Sequence, residues 1–173
     1  MRNLAVVLLG FFLLALLSPL LYELGVARYV PDLVLCMTIY LGLTSSFGRG
    51  LGVALLLGLL KDGFSLGSPV GMYMEIGAIA YLVSFRLSRR LVLRGPVGAM
   101  LVSFVFSLGA SIVELVLSLV FVRDFGDGES GPGLILVSMI PQALMTAPFG
   151  IIVFWLMDRL DALTTRKTDS VFL

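Results

Sequence analysis

The sequence predicts an all-α integral membrane protein, folded as a bundle of six transmembrane helices. Three observations carry this expectation. The chain is too apolar for water, with 59% of its 173 residues hydrophobic and 13% charged, where a soluble domain carries about 25% charge. Glycine, proline and charged residues divide the apolar sequence into segments of spanning length. The basic residues fall in alternate connections between those segments. A mean hydropathy of +1.08 agrees with the first point.

The first span is expected over 4–22, long enough at about 28 Å of helix to cross a hydrocarbon core of about 30 Å. Arg2 before an apolar run also suits a secretory signal. The run is longer than a signal's apolar core, however, and Gly25-Val26-Ala27 is a poor cleavage site, so the segment is expected to stay as a span. The second span, 29–47, opens with Pro31 and Asp32, where a missing amide donor and a negative charge suit a helix N-terminus. The polar, glycine-rich stretch 44–50 turns the chain into a third span, 50–66. A fourth follows at 70–85, a fifth at 97–122 and a sixth at 135–157. Residues 1–160 thus form one membrane domain, and 161–173 a short cytoplasmic tail.

Charge gives a separate test of this count, because cytoplasmic connections of membrane proteins carry the excess of lysine and arginine. With the N-terminus inside, nine basic residues (Arg2, Arg49, Arg86, Arg89, Arg90, Arg94, Arg159, Arg166 and Lys167) lie inside and three (Arg28, Lys61 and Arg123) outside. Both termini are then expected to be cytoplasmic, and the chain to be a multi-pass membrane protein. Tyr22 and Tyr29 flank the first outer connection and Trp155 lies near Arg159, at the interfacial positions aromatics favour.

The stretch 58–71, GLLKDGFSLGSPVG, fits least easily. From Gly50 to Leu60 there is only about 16 Å of helix, so Lys61 and Asp62 cannot lie comfortably outside. Either the third helix continues through them or the chain re-enters, with Gly63, Gly67, Pro69 and Gly71 allowing close packing. Two roles are open for Asp62: capping the fourth helix or pairing with Lys61, or serving as a protected polar site.

Two other acids fall within spans, where a carboxylate costs about 2.5–3.5 kcal/mol. On the fifth helix Ala99, Ser103, Ser107, Ser111, Glu114 and Ser118 recur every three or four residues, a small polar face expected to pack against protein. Gly71, Glu75 and Ala78 form a shorter face of the same kind on the fourth helix, and Gly48 with Gly52, then Ala54 with Gly58, offer close approaches on the third. Each Glu is either a ligand, proton or partner contact, or a protonated acid hydrogen-bonded inside the bundle.

Catalytic signatures are missing. The chain has no histidine, no HExxH and no GxGD, and Asp158-x-x-Asp161 lacks the companions of a metal site and reads as a solvated helix end. Cys36 is alone in an apolar run, a small buried residue with no disulfide partner. No enzyme, cofactor or metal is expected, and a net charge of +1 suggests no nucleic acid.

Pro31-Asp32-Leu33-Val34-Leu35, the spacing Gly58-x-x-x-Asp62-x-x-Ser65-x-Gly67-x-Pro69-x-Gly71, and Pro141-Gln142-Ala143 with Ala147-Pro148 together resemble the bacterial rod shape-determining protein MreD family, over nearly the whole chain to Leu160. The resemblance implies a non-enzymatic membrane scaffold of the cell-elongation complex, or elongasome. Such a subunit binds MreC and is linked through it to MreB, to RodA and to its penicillin-binding transpeptidase, supporting cell shape and the regulation of lateral peptidoglycan synthesis. It also implies a fold similar to the substrate-binding subunits of energy-coupling-factor transporters. A vitamin-binding subunit is therefore the alternative, with Asp62, Glu75 and Glu114 lining a pocket. A second copy of the chain, as a homodimer, is a further candidate partner. The surfaces expected to meet a partner helix are the segment from Asp62 to Gly71 and the serine face of the fifth helix.

A periplasm-active reporter fused after Asp127, in the outer connection before the sixth span, is expected to be active. An inactive fusion would contradict this topology.

Overall fold

The computed structural model describes residues 2–23, 30–65, 71–88, 95–120 and 132–164. These residues form six α-helices with no strand among them: α1 Arg2–Glu23, α2 Leu33–Thr44, α3 Phe47–Phe64, α4 Met72–Ser88, α5 Gly95–Val120 and α6 Pro132–Thr164. Two of them, Gly95–Val120 and the Ile135–Thr164 part of α6, are long and apolar enough to cross a membrane.

The helix ends differ from the sequence expectation where polar groups set the boundary. α2 is shorter than the apolar run that contains it. Asp32 starts it by accepting the Leu35 amide at 3.0 Å, the usual way a side chain satisfies a free N-terminal donor. It ends where the Ser45 amide returns to the Leu41 carbonyl and Ser45 turns extended. The turn into α3 is then only Ser45 and Ser46, since Phe47 to Gly50 are already helical. α3 continues through Lys61 and Asp62 to Phe64, the first of the two readings left open. α6 passes through Pro141 and Pro148 without ending and runs beyond Met157 to Thr164.

α2 is apolar on every side, and it is buried from Leu33 to Gly42 without interruption, as a helix without a polar face must be. It touches all five other helices. Those five close a ring around it in the order α1, α3, α4, α5, α6 and back to α1, and among the described residues no other helix pairs meet. Cys36, Met37, Ile39, Leu57, Tyr81 and Met157 fill the centre, all of them out of reach of solvent.

Consecutive helices run in opposite directions. Arg2 at the start of α1 reaches Ser45 just past the end of α2, at 2.9 Å. Phe47 at the start of α3 packs on Tyr81 and Phe85 late in α4. Arg2 also meets Asp161 near the end of α6. One end of the bundle therefore carries Arg2, Arg49, Arg86 and Arg159 beside Asp158 and Asp161, and the other carries Lys61 beside Glu23, Asp32, Asp62, Glu75 and Glu114. We call these the basic and the acidic end.

The α3–α4 seam brings backbone against backbone at Gly58. A Cβ there would lie 2.6 Å from the Met74 Cα and 2.7 Å from the Tyr73 carbonyl oxygen. Backbone cannot yield as a side-chain tip can, so only glycine fits. Gly48 and Gly52, expected to serve the same purpose, are exposed, and a Cβ on either would meet nothing within 4 Å. The two expected pairs thus differ: Ala54 and Gly58 face α4, while Gly48 and Gly52 are turned away.

Gly58→Ala is expected to destabilise the chain by about 1–3 kcal/mol through overpacking. Gly52→Ala should be neutral or stabilising by about 0.5–1 kcal/mol. Thermal unfolding followed by circular dichroism separates them, and equal stabilities would contradict the close seam.

Candidate functional site

Polar side chains gather in two layers, one at each end of α2. At the acidic end the Lys61 Nζ stands 2.6 Å from Asp32 Oδ2, joining α3 to α2. The pair is largely enclosed, with side chains 20% and 9% exposed. The same ammonium lies 4.0 Å from the centre of the Tyr73 ring on α4, a cation–π contact. Glu114 of α5 lies half-buried on the same side, near enough for its charge to act on the Lys61 ammonium. α6 joins through Thr146, whose hydroxyl accepts the Asp32 amide at 3.1 Å and donates to the Gln142 carbonyl. Five helices thus converge on this layer.

Asp62 is buried beside it and caps α4 from across the seam. Its carboxylate accepts the amides of Gly71 at 3.1 Å, Tyr73 at 2.9 Å and Met74 at 3.2 Å. The first amides of a helix have no partner within it and carry the positive end of its dipole, so a carboxylate suits them. Gly71, with φ of +101°, sits at the cap position without a side chain of its own. Gly58 and Asp62 lie one turn apart on α3, so the glycine that admits α4 also brings its amides to the acid. The capping reading of Asp62 holds, and Lys61 pairs with Asp32 instead.

At the basic end Tyr40 of α2 donates to Asp158 Oδ1 at 2.6 Å and lies 3.2 Å from Asp161 Oδ2 on α6. Arg2 of α1 faces Asp161 with Nε 2.9 Å from Oδ1, an ion pair without the alignment of a hydrogen bond. Its Nη2 donates to Ser45 at 2.9 Å and lies 3.4 Å from Thr44 Oγ1. The acids expected at a solvated helix end are instead a clasp that ties α1, α2 and α6.

The other residues singled out from the sequence divide sharply. Ser103, Ser107 and Ser111 are buried as expected, and so are Ala99 and Ser118. Ser103 sits against Gly150 of α6 and beside the Cys36 thiol. Ser111 donates to the Ser107 carbonyl and Ser118 to that of Leu115 in their own helix, the way a hydroxyl is satisfied inside a helix. The serine face is thus buried within the chain, with Ser103 against α6, and not left open for a partner helix. Glu114 is half-buried in the layer, but Glu75 is exposed, contrary to the packed face expected for it. Its amide makes the first-turn bond to Gly71, and its side chain points away from the bundle. Gly63 is exposed with nothing near its Cβ position. Gly67 and Pro69 lie outside the described residues.

Sequence reasoning missed Tyr73, Tyr40, Thr146 and the ion-pair partners of Lys61 and Arg2. A signal was present for Tyr40, since a phenol inside an apolar helix needs a hydrogen-bond partner. No local pattern points to the partner itself, 118 residues away. Among the described residues no group of three or more acids or cysteines is placed to hold a metal. Compared with known protein families, curated proteins and solved structures, the chain matches none.

Lys61→Met should cost about 3–5 kcal/mol by leaving Asp32 buried without its partner. Asp32→Asn keeps an acceptor for the Leu35 amide and should recover much of that loss in the double variant. Unfolding of the two single variants and the double in detergent checks this, and a double variant no more stable than Lys61→Met would contradict the pair.

Proposed function

We propose that all six helices cross a bacterial cytoplasmic membrane, with the basic end inside, and that the chain is a non-enzymatic scaffold subunit of the MreD type in the cell-elongation complex. The observation that carries the membrane reading is the inverted dress of α5. It buries Ser103, Ser107, Ser111 and Ser118 and exposes Leu101, Val105, Ile112, Val116 and Leu119. In water that arrangement is unfavourable along the whole helix, at about 25 cal/mol per Å2 of exposed apolar surface. In lipid it is the favourable one, because the tails accept the aliphatic side and the small residues allow close packing.

The layer depths agree. α2 spans about 18 Å from one layer to the other, less than the hydrocarbon thickness of about 30 Å. Exposed apolar residues continue past the acidic layer, to Val120 on α5 and back to Leu136 on α6, about 9 Å and 15 Å along those helices from Glu114 and Thr146. The Lys61–Asp32 pair therefore lies below the outer surface, where charges persist when paired.

The residues behind the MreD resemblance support a scaffold, since several of them hold helices together. Asp32 caps α2 and holds Lys61, Gly58 and Asp62 receive α4, and Ala143 and Ala147 are buried in the bundle. Binding of the single-span MreC, and through it coupling to MreB, RodA and the penicillin-binding transpeptidase, follows from that family reading. One observation favours a vitamin-binding transporter subunit instead: side chains of α2, α3, α4 and α5 converge at the acidic end.

Affinity purification of the tagged chain from native membranes separates the two. Recovery of a single-span MreC without ATP-binding cassette subunits is expected. Recovery of those subunits with a bound vitamin, and no MreC, would overturn the scaffold reading.

A further inference from the structure

The apolar cluster that joins α4 to α5 consists of Met72, Tyr73 and Ile76 on α4 with Ala110, Val113 and Leu117 on α5, all in the acidic half of the bundle. Towards the basic end α4 instead turns Ile79, Leu82, Val83 and Arg86 outward, one exposed stripe at helical spacing. An open groove of about 400 Å3 lies there, lined by Leu82, Val83, Arg86 and Leu87. Its walls are aliphatic, and its one charged group is the Arg86 guanidinium at the basic end. Arg86 has no ion-pair partner among the described residues. The sequence that follows, as far as Arg94, adds Arg89, Arg90 and Arg94 and contains no acid.

We infer that this groove is a binding site for an anionic glycerophospholipid of the inner leaflet, with its phosphate on Arg86 and an acyl chain along Leu82, Val83 and Ile79. The inference rests on the six-span reading, which puts Arg86 at the cytoplasmic interface. An arginine fork matches a phosphate bidentately and is weakly hydrated, so it suits a headgroup at the edge of an apolar wall. A basic pocket on the cytoplasmic side of a helix bundle is where anionic headgroups are held. A protein segment covering the same wall would leave the guanidinium to find a carboxylate. The phospholipid supplies the anion and the apolar chain in one molecule, in the order the groove presents them.

The test uses the full chain purified in micelles doped with equal amounts of phosphatidylglycerol and phosphatidylcholine, with retained lipids counted by native mass spectrometry. The wild-type chain is expected to retain one phosphatidylglycerol over phosphatidylcholine by about fivefold, the factor of one basic residue at an anionic surface. Arg86→Gln should abolish the preference, and Val83→Trp should do the same by filling the groove with Arg86 intact. Arg49→Gln, which removes another exposed arginine at the basic end, should leave it. All three exposed-site variants are expected to unfold at the wild-type temperature. Equal retention of the two lipids by the wild-type chain, or equal loss in Arg49→Gln and Arg86→Gln, would overturn the inference. Alkaline carbonate extraction of native membranes separates the two readings. A chain released into the supernatant overturns the membrane reading and this site with it, whereas a retained chain without lipid preference overturns the site alone.

Discussion

The structure depends on a short helix held at the centre of five others. α2 has twelve residues, while α5 and α6 have 26 and 33. A helix buried on all sides can donate no side chain to solvent, so its polar ends must be met by its neighbours. At one end Asp32 is held by Lys61 and Thr146, and at the other Tyr40 and Thr44 meet Asp158, Asp161 and Arg2. The distance between the two layers is set by α2. The outer helices are free to be longer, and they are.

The ring also explains the placement of small residues. α4 approaches α3 backbone to backbone at Gly58, and Ser103 on α5 is seated against Gly150 on α6. Under the membrane reading proposed above, no hydrophobic drive brings helices together, and contact area between small residues must supply much of the attraction. Serines inside and aliphatics outside follow from that single condition. Asp62 shows the same economy: one carboxylate satisfies two first-turn amides of α4 and that of Gly71 before it, and fixes the corner between α3 and α4.

Periodic features were legible in the sequence. The recurrence of Ser103, Ser107 and Ser111 announced the buried side of α5, and Pro31-Asp32 announced the start of α2. Boundaries were less legible, because an apolar run gives no sign of where a cap or a turn ends it. The run over 29–47 contains a helix only from Leu33 to Thr44. Spacing also misjudged which glycines matter. Gly48 and Gly52 repeat as Ala54 and Gly58 do, yet only the second pair faces a neighbour. Glu75 failed for the same reason, since its spacing from Gly71 places both on one side of α4 without saying what lies there. Contacts between distant segments, such as Tyr40 with Asp158 and Arg2 with Asp161, had no local signature and required the fold.

The central position of α2 can be tested with the chain's own thiol. Cys36 lies in the first turn of α2 and has no exposed surface. In the folded chain in detergent it should resist N-ethylmaleimide and become modified only as the protein unfolds. A chain carrying Cys36→Ser and Ser46→Cys, whose thiol would lie exposed in the turn between α2 and α3, should react readily while folded. Modification of Cys36 in the native chain as fast as that exposed thiol would contradict a central α2 and the ring built around it.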